Sequence, residues 1–269
     1  IHIVVLDVND NSPVFTQKVY IGRVLENAPE GSVVLSVVAT DRDVGPNGDI
    51  SYHFSQSHSA FVIDPVSGEV RLRKPLDFEV AESHELSVRA TDGGGLSAIC
   101  KVLVEVVDVN DNVPELVVSS FSSPLPENAL PGTVVALFSV RDRDAGANGK
   151  ISCALEDQLA FSLQPAYKNY YELSPDGTKH AELVLEKNLD REKQRYHHLI
   201  LTAVDSGDPV RSGTTQIKIN VTDANDNSPV FTKEVYKVRL LENLPEGSLA
   251  FQVKATDGDE GTNAEITYS

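Results

Sequence analysis

The chain has 269 residues, with 40 Asp and Glu against 23 Lys and Arg, so its formal net charge is −17. That balance excludes nucleic acid and anionic membrane surfaces as natural partners and favours cations. No apolar run reaches the ~18 residues of a membrane span, and the length suits about two domains.

Ile1-His2-Ile3-Val4-Val5-Leu6 reads as the end of a strand, and Tyr268-Ser269 as part of another, so the chain is expected to be a piece of something longer. Asp7-Val8-Asn9-Asp10-Asn11 follows, with Pro13 just beyond. The pentapeptide recurs as Asp108-Val109-Asn110-Asp111-Asn112 before Pro114 and as Asp223-Ala224-Asn225-Asp226-Asn227 before Pro229. Each copy ends an apolar strand and offers carboxylates and carboxamides with no large apolar anchor, which makes a poor strand but a dense strip of hard oxygen ligands. The proline stops the strand from running on. The copies lie about 100 residues apart, enough for one small core each, so they are predicted to be joints between domains. On that reading 1–12 is the last strand and linker of a preceding repeat. Residues 13–112 and 113–227 are complete repeats, and 228–269 is the truncated start of another.

Within the first repeat, strands are predicted at Val19 to Leu25, Ser32 to Ala39, Asp49 to Phe54, Ala60 to Ile63, Glu69 to Arg73, His84 to Ala90 and Leu96 to Val107. They are rich in Val, Ile and Tyr and are separated by turn chemistry such as Glu26-Asn27-Ala28-Pro29-Glu30-Gly31. About seven short strands with this punctuation predict a β-sandwich, and no 3.6-residue apolar pattern runs long enough for a substantial helix. The second repeat follows the same plan with an insertion around Phe161 to Asp176. The Asn169-Tyr170-Tyr171 cluster there is read first as packing and second as a recognition surface. The third begins at Pro229, and its three strands cannot close a core.

Cys100 and Cys153 belong to different repeats and are expected to be buried thiols acting as small hydrophobes, not a disulfide. In Asn220-Val221-Thr222, a sequon, the alternation of Ile217, Ile219 and Val221 with Lys218, Asn220 and Thr222 turns Asn220 to solvent, where it can carry a glycan in a secretory compartment.

Placed against the joints, the other acids fall into three groups. The first joint collects Asp7, Asp10, Asp41, Asp43 and Asp92. The central joint collects Glu26, Asp77, Glu79, Asp108, Asp111, Asp142, Asp144 and Asp205. The third collects Glu127, Asp190, Glu192, Asp223, Asp226, Asp257 and Asp259. Half of the 40 acids therefore stand at joints, and the net charge is largely a metal-site signature. At an effective dielectric near 20, two carboxylates about 5 Å apart repel by roughly 3 kcal/mol, so such groups call for cations. Calcium fits, because it takes six to eight oxygens in irregular geometry, whereas magnesium needs a tight octahedron and zinc wants His and Cys. An EF-hand fails on its own spacing: Pro46, Ala147 or Thr262 stands where its glycine belongs, and Tyr52, Cys153 or Tyr268 where its bidentate acid belongs. The ligands must come from distant segments. His2, His53, His58, His84, His180, His197 and His198 fall in no nucleophile or metal motif, and no Gly-x-Ser-x-Gly elbow is present, so the chain is not read as an enzyme.

Along its whole length the chain resembles the cadherin superfamily, through its repeated Asp-x-Asn-Asp-Asn joints, Glu-Asn turns, Asp-x-Asp pairs and the Asp77-Phe78-Glu79 and Asp190-Arg191-Glu192 motifs. The resemblance implies an all-β fold of tandem seven-stranded Greek-key β-sandwiches with three calcium ions at each complete joint. At the central joint it implies ligands Glu26, Asp77, Glu79 and a backbone oxygen near Val109 from one side. From the other it implies Asn110, Asp111, the Asn112 carbonyl, Asp142, Asp144, the Asn148 carbonyl and Asp205. The matching positions of the first joint add Asn9, Asn11 and Asn47, and those of the third add Ala224, Asn225, Asn227 and Asn263. Phe78 replaces the family's usual arginine, which Arg191 supplies one repeat later. Within the superfamily the closer resemblance is to the clustered protocadherins, through Phe161, Asn169-Tyr170-Tyr171 and Pro131 to Leu137. The segment from about Ser174 onward resembles an earlier pair of their repeats, which suggests a mixed repeat order. This resemblance implies calcium-dependent homophilic adhesion to the same protein on an apposed cell, on the extracellular side of a single-pass membrane protein. The alternative is a stiff extracellular spacer or heterophilic receptor on the same scaffold.

Overall fold

The computed structural model describes residues 2–156, 160–165 and 177–269, so the Asn169-Tyr170-Tyr171 cluster lies outside the described residues. The chain divides into two compact units. The first contains Ile1–Asn112 together with Arg143–Gly149 and Gly207–Pro209. The second contains Val113–Asp142, Lys150–Ser206 and Val210–Ser269.

In the first unit the strands are β1 (Val14–Phe15), β2 (Val19–Leu25), β3 (Val33–Ser36), β4 (Ala39–Thr40), β5 (Ser51–Phe54), β6 (Phe61–Ile63), β7 (Glu69–Leu72), β8 (Ser83–Thr91) and β9 (Ser97–Val107). One sheet runs β2-β9-β8-β5 and another β3-β7-β6, with β1 bridged to β4. Strands β2 and β9 pair in parallel from Val19↔Lys101 to Leu25↔Val107. The strict alternation of β2, with Tyr20, Gly22 and Val24 inward, follows from the two-residue period of a pleated strand. Its inward face meets Phe61, Val70, Leu72, Val88, Val102 and Val104 in one core. Each such large side chain contributes roughly 1.5–3 kcal/mol when fully buried.

The second unit repeats the plan with β10 (Glu115–Phe121), β11 (Leu125–Pro126), β12 (Val134–Arg141), β13 (Ser152–Glu156), β14 (Phe161–Pro165), β15 (Lys179–Leu185), β16 (Tyr196–Val204) and β17 (Ser212–Thr222). Its sheets run β10-β12-β15-β14 and β11-β17-β16-β13, and β11 is parallel to β17. Phe138, Phe161, Leu183, Leu185, Leu199, Leu201 and Ile219 fill the space between them. The fold is therefore the all-β sandwich that the strand pattern predicts.

One predicted strand is divided, for a visible reason. Ser32 to Ala39 breaks around Val37 and Val38, where Tyr20 Oη donates to the Val38 carbonyl at 2.9 Å and Tyr52 Oη accepts from the Ala39 amide at 2.9 Å. The Tyr52 phenol thus satisfies a backbone amide, while the Val38 carbonyl accepts from both the Tyr20 phenol and the Thr16 amide. The corresponding positions of the second unit hold Phe121 and Cys153, which lack a phenol, and there β12 runs unbroken.

Three expectations are corrected. No strand forms in 2–12, where Ile3, Val4, Val5 and Leu6 are exposed, because no described strand lies beside them to complete a ladder. Past Pro229 only the bridge of β18 (Val230–Phe231) to β19 (Ala255–Thr256) forms, and Tyr268 is not in a strand. Even so, Tyr236 Oη donates to the Lys254 carbonyl at 3.1 Å and Tyr268 Oη accepts from the Ala255 amide at 3.0 Å, repeating the phenol pins of the first unit. Cys153 is exposed and not a core thiol. Both cysteines are free, and burial pushes the Cys100 thiol up to about 11.

Candidate metal centres

The joints are built from three local devices, two of them present at all three joints and the third at the central and third joints. The first is a linker Asp that accepts from the loop of the next Asp-x-Asp segment. Asp7 Oδ2 accepts from the Val44 amide at 3.4 Å and Asn47 Nδ2 at 2.9 Å. Asp108 Oδ2 accepts from the Ala145 amide at 3.0 Å and Asn148 Nδ2 at 2.8 Å. Asp223 Oδ2 accepts from the Glu260 amide at 3.1 Å and Asn263 Nδ2 at 2.8 Å.

In the second device the last linker Asn clamps an Asp of that segment. Asn11 donates through its amide and side chain to Asp43 at 3.0 and 2.6 Å, Asn112 to Asp144 at 3.1 and 2.6 Å, and Asn227 to Asp259 at 3.2 and 2.7 Å. The same Asn side chains also donate to Asp10, Asp111 and Asp226. Asp41 and Asp257 in turn cap the amides of Asp43 and Asp259. These bonds tie Arg143–Gly149 to the linker at 108–112, and Asn110 Nδ2 ties Gly207–Pro209 to it through the Pro209 carbonyl at 2.6 Å. This accounts for both loops completing the first unit.

In the third device a buried glutamate takes two backbone amides. Glu26, 2% exposed, accepts from the Val109 and Phe78 amides at 2.7 Å each. Glu127, 3% exposed, accepts from the Ala224 amide at 2.6 Å and the Arg191 amide at 2.8 Å. Val109 and Ala224, picked from sequence for their carbonyls, thus also orient the glutamates through their amides.

In the first unit, carboxylate oxygens of Glu26, Asp77 and Glu79 lie within 4.8 Å of one another, and so do those of Glu79, Asp111 and Asp144. Glu79 is the shared member. Burial first, and then the charges of Glu26, Asp111 and Asp144, push its carboxyl from the ordinary 4.5 to about 7. In the second unit the groups are Glu127, Glu192 and Asp226, and Glu192, Asp223 and Asp259. Burial, then Glu127, Glu192 and Asp259, raises Asp226. Asp190 is drawn aside, pairing with the Lys193 ammonium at 2.5 Å, and is lowered by that hydrogen bond. Asn225 is exposed, whereas its counterpart Asn110 is buried. Asp142 and Asp205 are both buried in the second unit, where Asp205 accepts from the Arg211 amide at 3.0 Å. The first joint brings Asn9 to Asp92 at 3.1 Å, but no three-carboxylate group forms there among the described residues.

Buried oxygens test whether a cation fits. Asp108 Oδ1 at the central joint, and Asn9 Oδ1, Asp41 Oδ2 and Asp92 Oδ2 at the first, are buried with no hydrogen-bond partner among the described residues. A buried carboxylate oxygen left this way is costly. An oxygen-seeking ion would satisfy it, so the donor set fits calcium.

Sequence reasoning did not assign a role to Arg191. Its side chain is 3% exposed. Nε donates to Asp223 Oδ1 at 2.7 Å, the guanidinium also reaches Glu192 at 2.5 Å and Glu260 at 3.4 Å, and it donates to the Gly258 carbonyl at 3.0 Å. Asp223 Oδ1 is the counterpart of the unpartnered Asp108 Oδ1, and Phe78 stands where Arg191 does. Burial pushes Asp223 up, but its hydrogen bonds from Asn263, Glu260 and Arg191 win and hold it low.

Comparison with known proteins adds a lineage. The cadherin domain family matches residues 20–107 and 121–222. Human protocadherin beta-1 is 48% identical over 273 aligned positions, covering 100% of this chain and 32% of the relative. The protocadherin GammaB4 extracellular domain superposes with a TM-score of 0.88 at 40% identity, covering 97% of this chain and 40% of that one. A protocadherin gammaB7 EC3-6 cis-dimer structure matches with a TM-score of 0.82 at 38% identity over 93% of this chain and 57% of that one.

Proposed function

Since the chain belongs to the cadherin family, we propose that it is an extracellular segment of a membrane-anchored adhesion protein whose joints bind calcium and whose partner is the same protein on an apposed cell. It spans about a third of the length of its curated relative, and the adhesive activity belongs to the larger protein. The proposed repeats are 13–112 and 113–227, flanked by the linker at 1–12 and the further start at 228–269.

The observation that carries the calcium reading is Asp108 Oδ1, buried and unpartnered among the described residues beside two carboxylate groups that share Glu79. At the central joint Glu26, Asp77, Glu79, Asp108, Asp111 and Asp144, all of the first unit, would hold the metal. The ion supplies positive charge that neutralises the carboxylates and fixes the joint. The chain's own part is to hold them ready: the Val109 and Phe78 amides orient Glu26, and Asn112 orients Asp144 and Asp111. Without a cation the like charges repel within a screening length of about 8 Å at physiological salt, so the joint hinges while each sandwich keeps its separate core. Calcium thereby rigidifies the array. Extracellular modules bind calcium at about 0.1–1 mM, which matches ions outside cells.

Small-angle scattering with calcium and with chelator, alongside circular dichroism, tests this. The maximum dimension is expected to change while the strand signal stays. An unchanged dimension would sink the rigidifying role. Homophily is read by aggregation of beads coated with the complete ectodomain, alone and mixed with relatives. Beads that join only in mixtures would favour the heterophilic receptor.

A further inference from the structure

Outside the joints, an exposed cluster on β16 and β17 joins the sequon to an aromatic ring. Asn220 lies directly across from Tyr196 in the antiparallel ladder. Its own amide points away from β16, donating to Ser123 Oγ at 3.2 Å, and the next amide, of Val221, donates to the Arg195 carbonyl at 2.9 Å. The pair is therefore of the non-hydrogen-bonded kind, in which facing side chains stand closest, with Cβ atoms about 4.5–5.5 Å apart. Both side chains leave the same face of the sheet. Asn220 is exposed and Tyr196 is 56% exposed, while Ile217, Ile219 and Val221 point into the core. The ring already holds a neighbour, the Lys218 ammonium 4.9 Å from its centroid. That ammonium belongs to a solvated, flexible side chain, and at such an exposed site its contact contributes about 0.5–1 kcal/mol. It yields easily to an occupant with more apolar area.

We propose that Asn220 carries an N-linked oligosaccharide whose first N-acetylglucosamine lies over the Tyr196 ring. The modification is a transfer from a lipid-pyrophosphate-linked oligosaccharide. Asn220 Nδ2 forms the bond to the anomeric carbon, the C–O bond breaks with its electron pair left on the pyrophosphate, and the amide proton passes to a base. No oxidation state changes. Thr222, two residues on, completes the acceptor and is also exposed. The apolar face of the sugar then covers ring carbon that now meets water, and the polar edge remains solvated. One face of the second unit's β11-β17-β16-β13 sheet becomes covered by carbohydrate.

The inference rests on the extracellular address proposed above, and the test separates the two. The full chain, fused to a secretory leader, is recovered from the medium of animal cells and analysed by mass spectrometry before and after enzymatic removal of N-glycans. A glycan mass on the Asn220 peptide, lost in Asn220→Gln and in Thr222→Ala, is expected. In NMR spectra the first N-acetyl methyl signal should be shifted upfield by the ring, and the shift should vanish in Tyr196→Ser. A folded secreted chain with bare Asn220 overturns the modification while leaving the address intact. A chain that reaches the medium only unfolded overturns both. A glycan whose methyl signal is the same with Tyr196→Ser overturns the stacking.

Discussion

The central and third joints share their linker order, their clamping Asn and their buried Glu, and they differ in how one carboxylate oxygen is satisfied. Asp223 Oδ1 receives Arg191 Nε, while Asp108 Oδ1 has no partner among the described residues, Phe78 taking the arginine's place. At the third joint a cationic side chain therefore meets that carboxylate oxygen, whereas at the central joint no described side chain does. A buried arginine with its planar fork suits this role, since it is always charged and reaches several carboxylates at once. The lesson is that a position with no ligand atom of its own can still set which charge a buried carboxylate meets.

The largest effect that would break this comparison is the exchange of the two residues. In chelator, Arg191→Phe should lower the melting temperature of the second unit by about 5 °C or more, because it leaves Asp223 and Glu192 as uncompensated charge. Phe78→Arg should conversely shrink the gain in melting temperature that calcium gives the first unit. Equal calcium dependence in both exchanges, followed by calorimetry, would erase the distinction between the joints.

A smaller effect sharpens it. Asp111→Ala should weaken calcium at the central joint about tenfold, near 1.4 kcal/mol, while Asp49→Ala, which deletes an acid outside every ligand group, changes only a field that salt screens. Titration calorimetry that finds the two variants alike would remove Asp111 from the site.

The smallest concerns protons. Glu79 titrates at about 7 against an ordinary 4.5, so between those values the folded chain holds a proton that the unfolded chain has released. The native state binds more protons there, and the calcium-free stability of the first unit should fall as pH rises from about 4.5 through about 7. Calcium binding should release a proton below pH 7 and weaken as pH falls. Glu79→Gln should flatten that slope. A slope unchanged by the substitution would assign it to another group.

Much of this was legible in the sequence because it depends on neighbours along the chain. Alternating Val, Ile and Leu located β2 and β5 to β9 to within a few residues, since each side chain's face follows from its parity in the strand. The Asp and Asn of the joints announced an oxygen-rich cluster because part of the clamp is local: Asn112 bonds Asp111 beside it, although its other partner, Asp144, lies 32 residues on. Tertiary structure alone decided the rest. The division of the second strand falls where the phenols of Tyr20 and Tyr52 bond its backbone, and the missing strand at 2–6 where no described neighbour is present to pair with. Arg191 lay in plain view between Asp190 and Glu192, yet its reach to Asp223 and Glu260 depends on loops that only folding brings together. Local pattern fixes which way a side chain faces, but which charge it meets there is settled by the approach of distant segments.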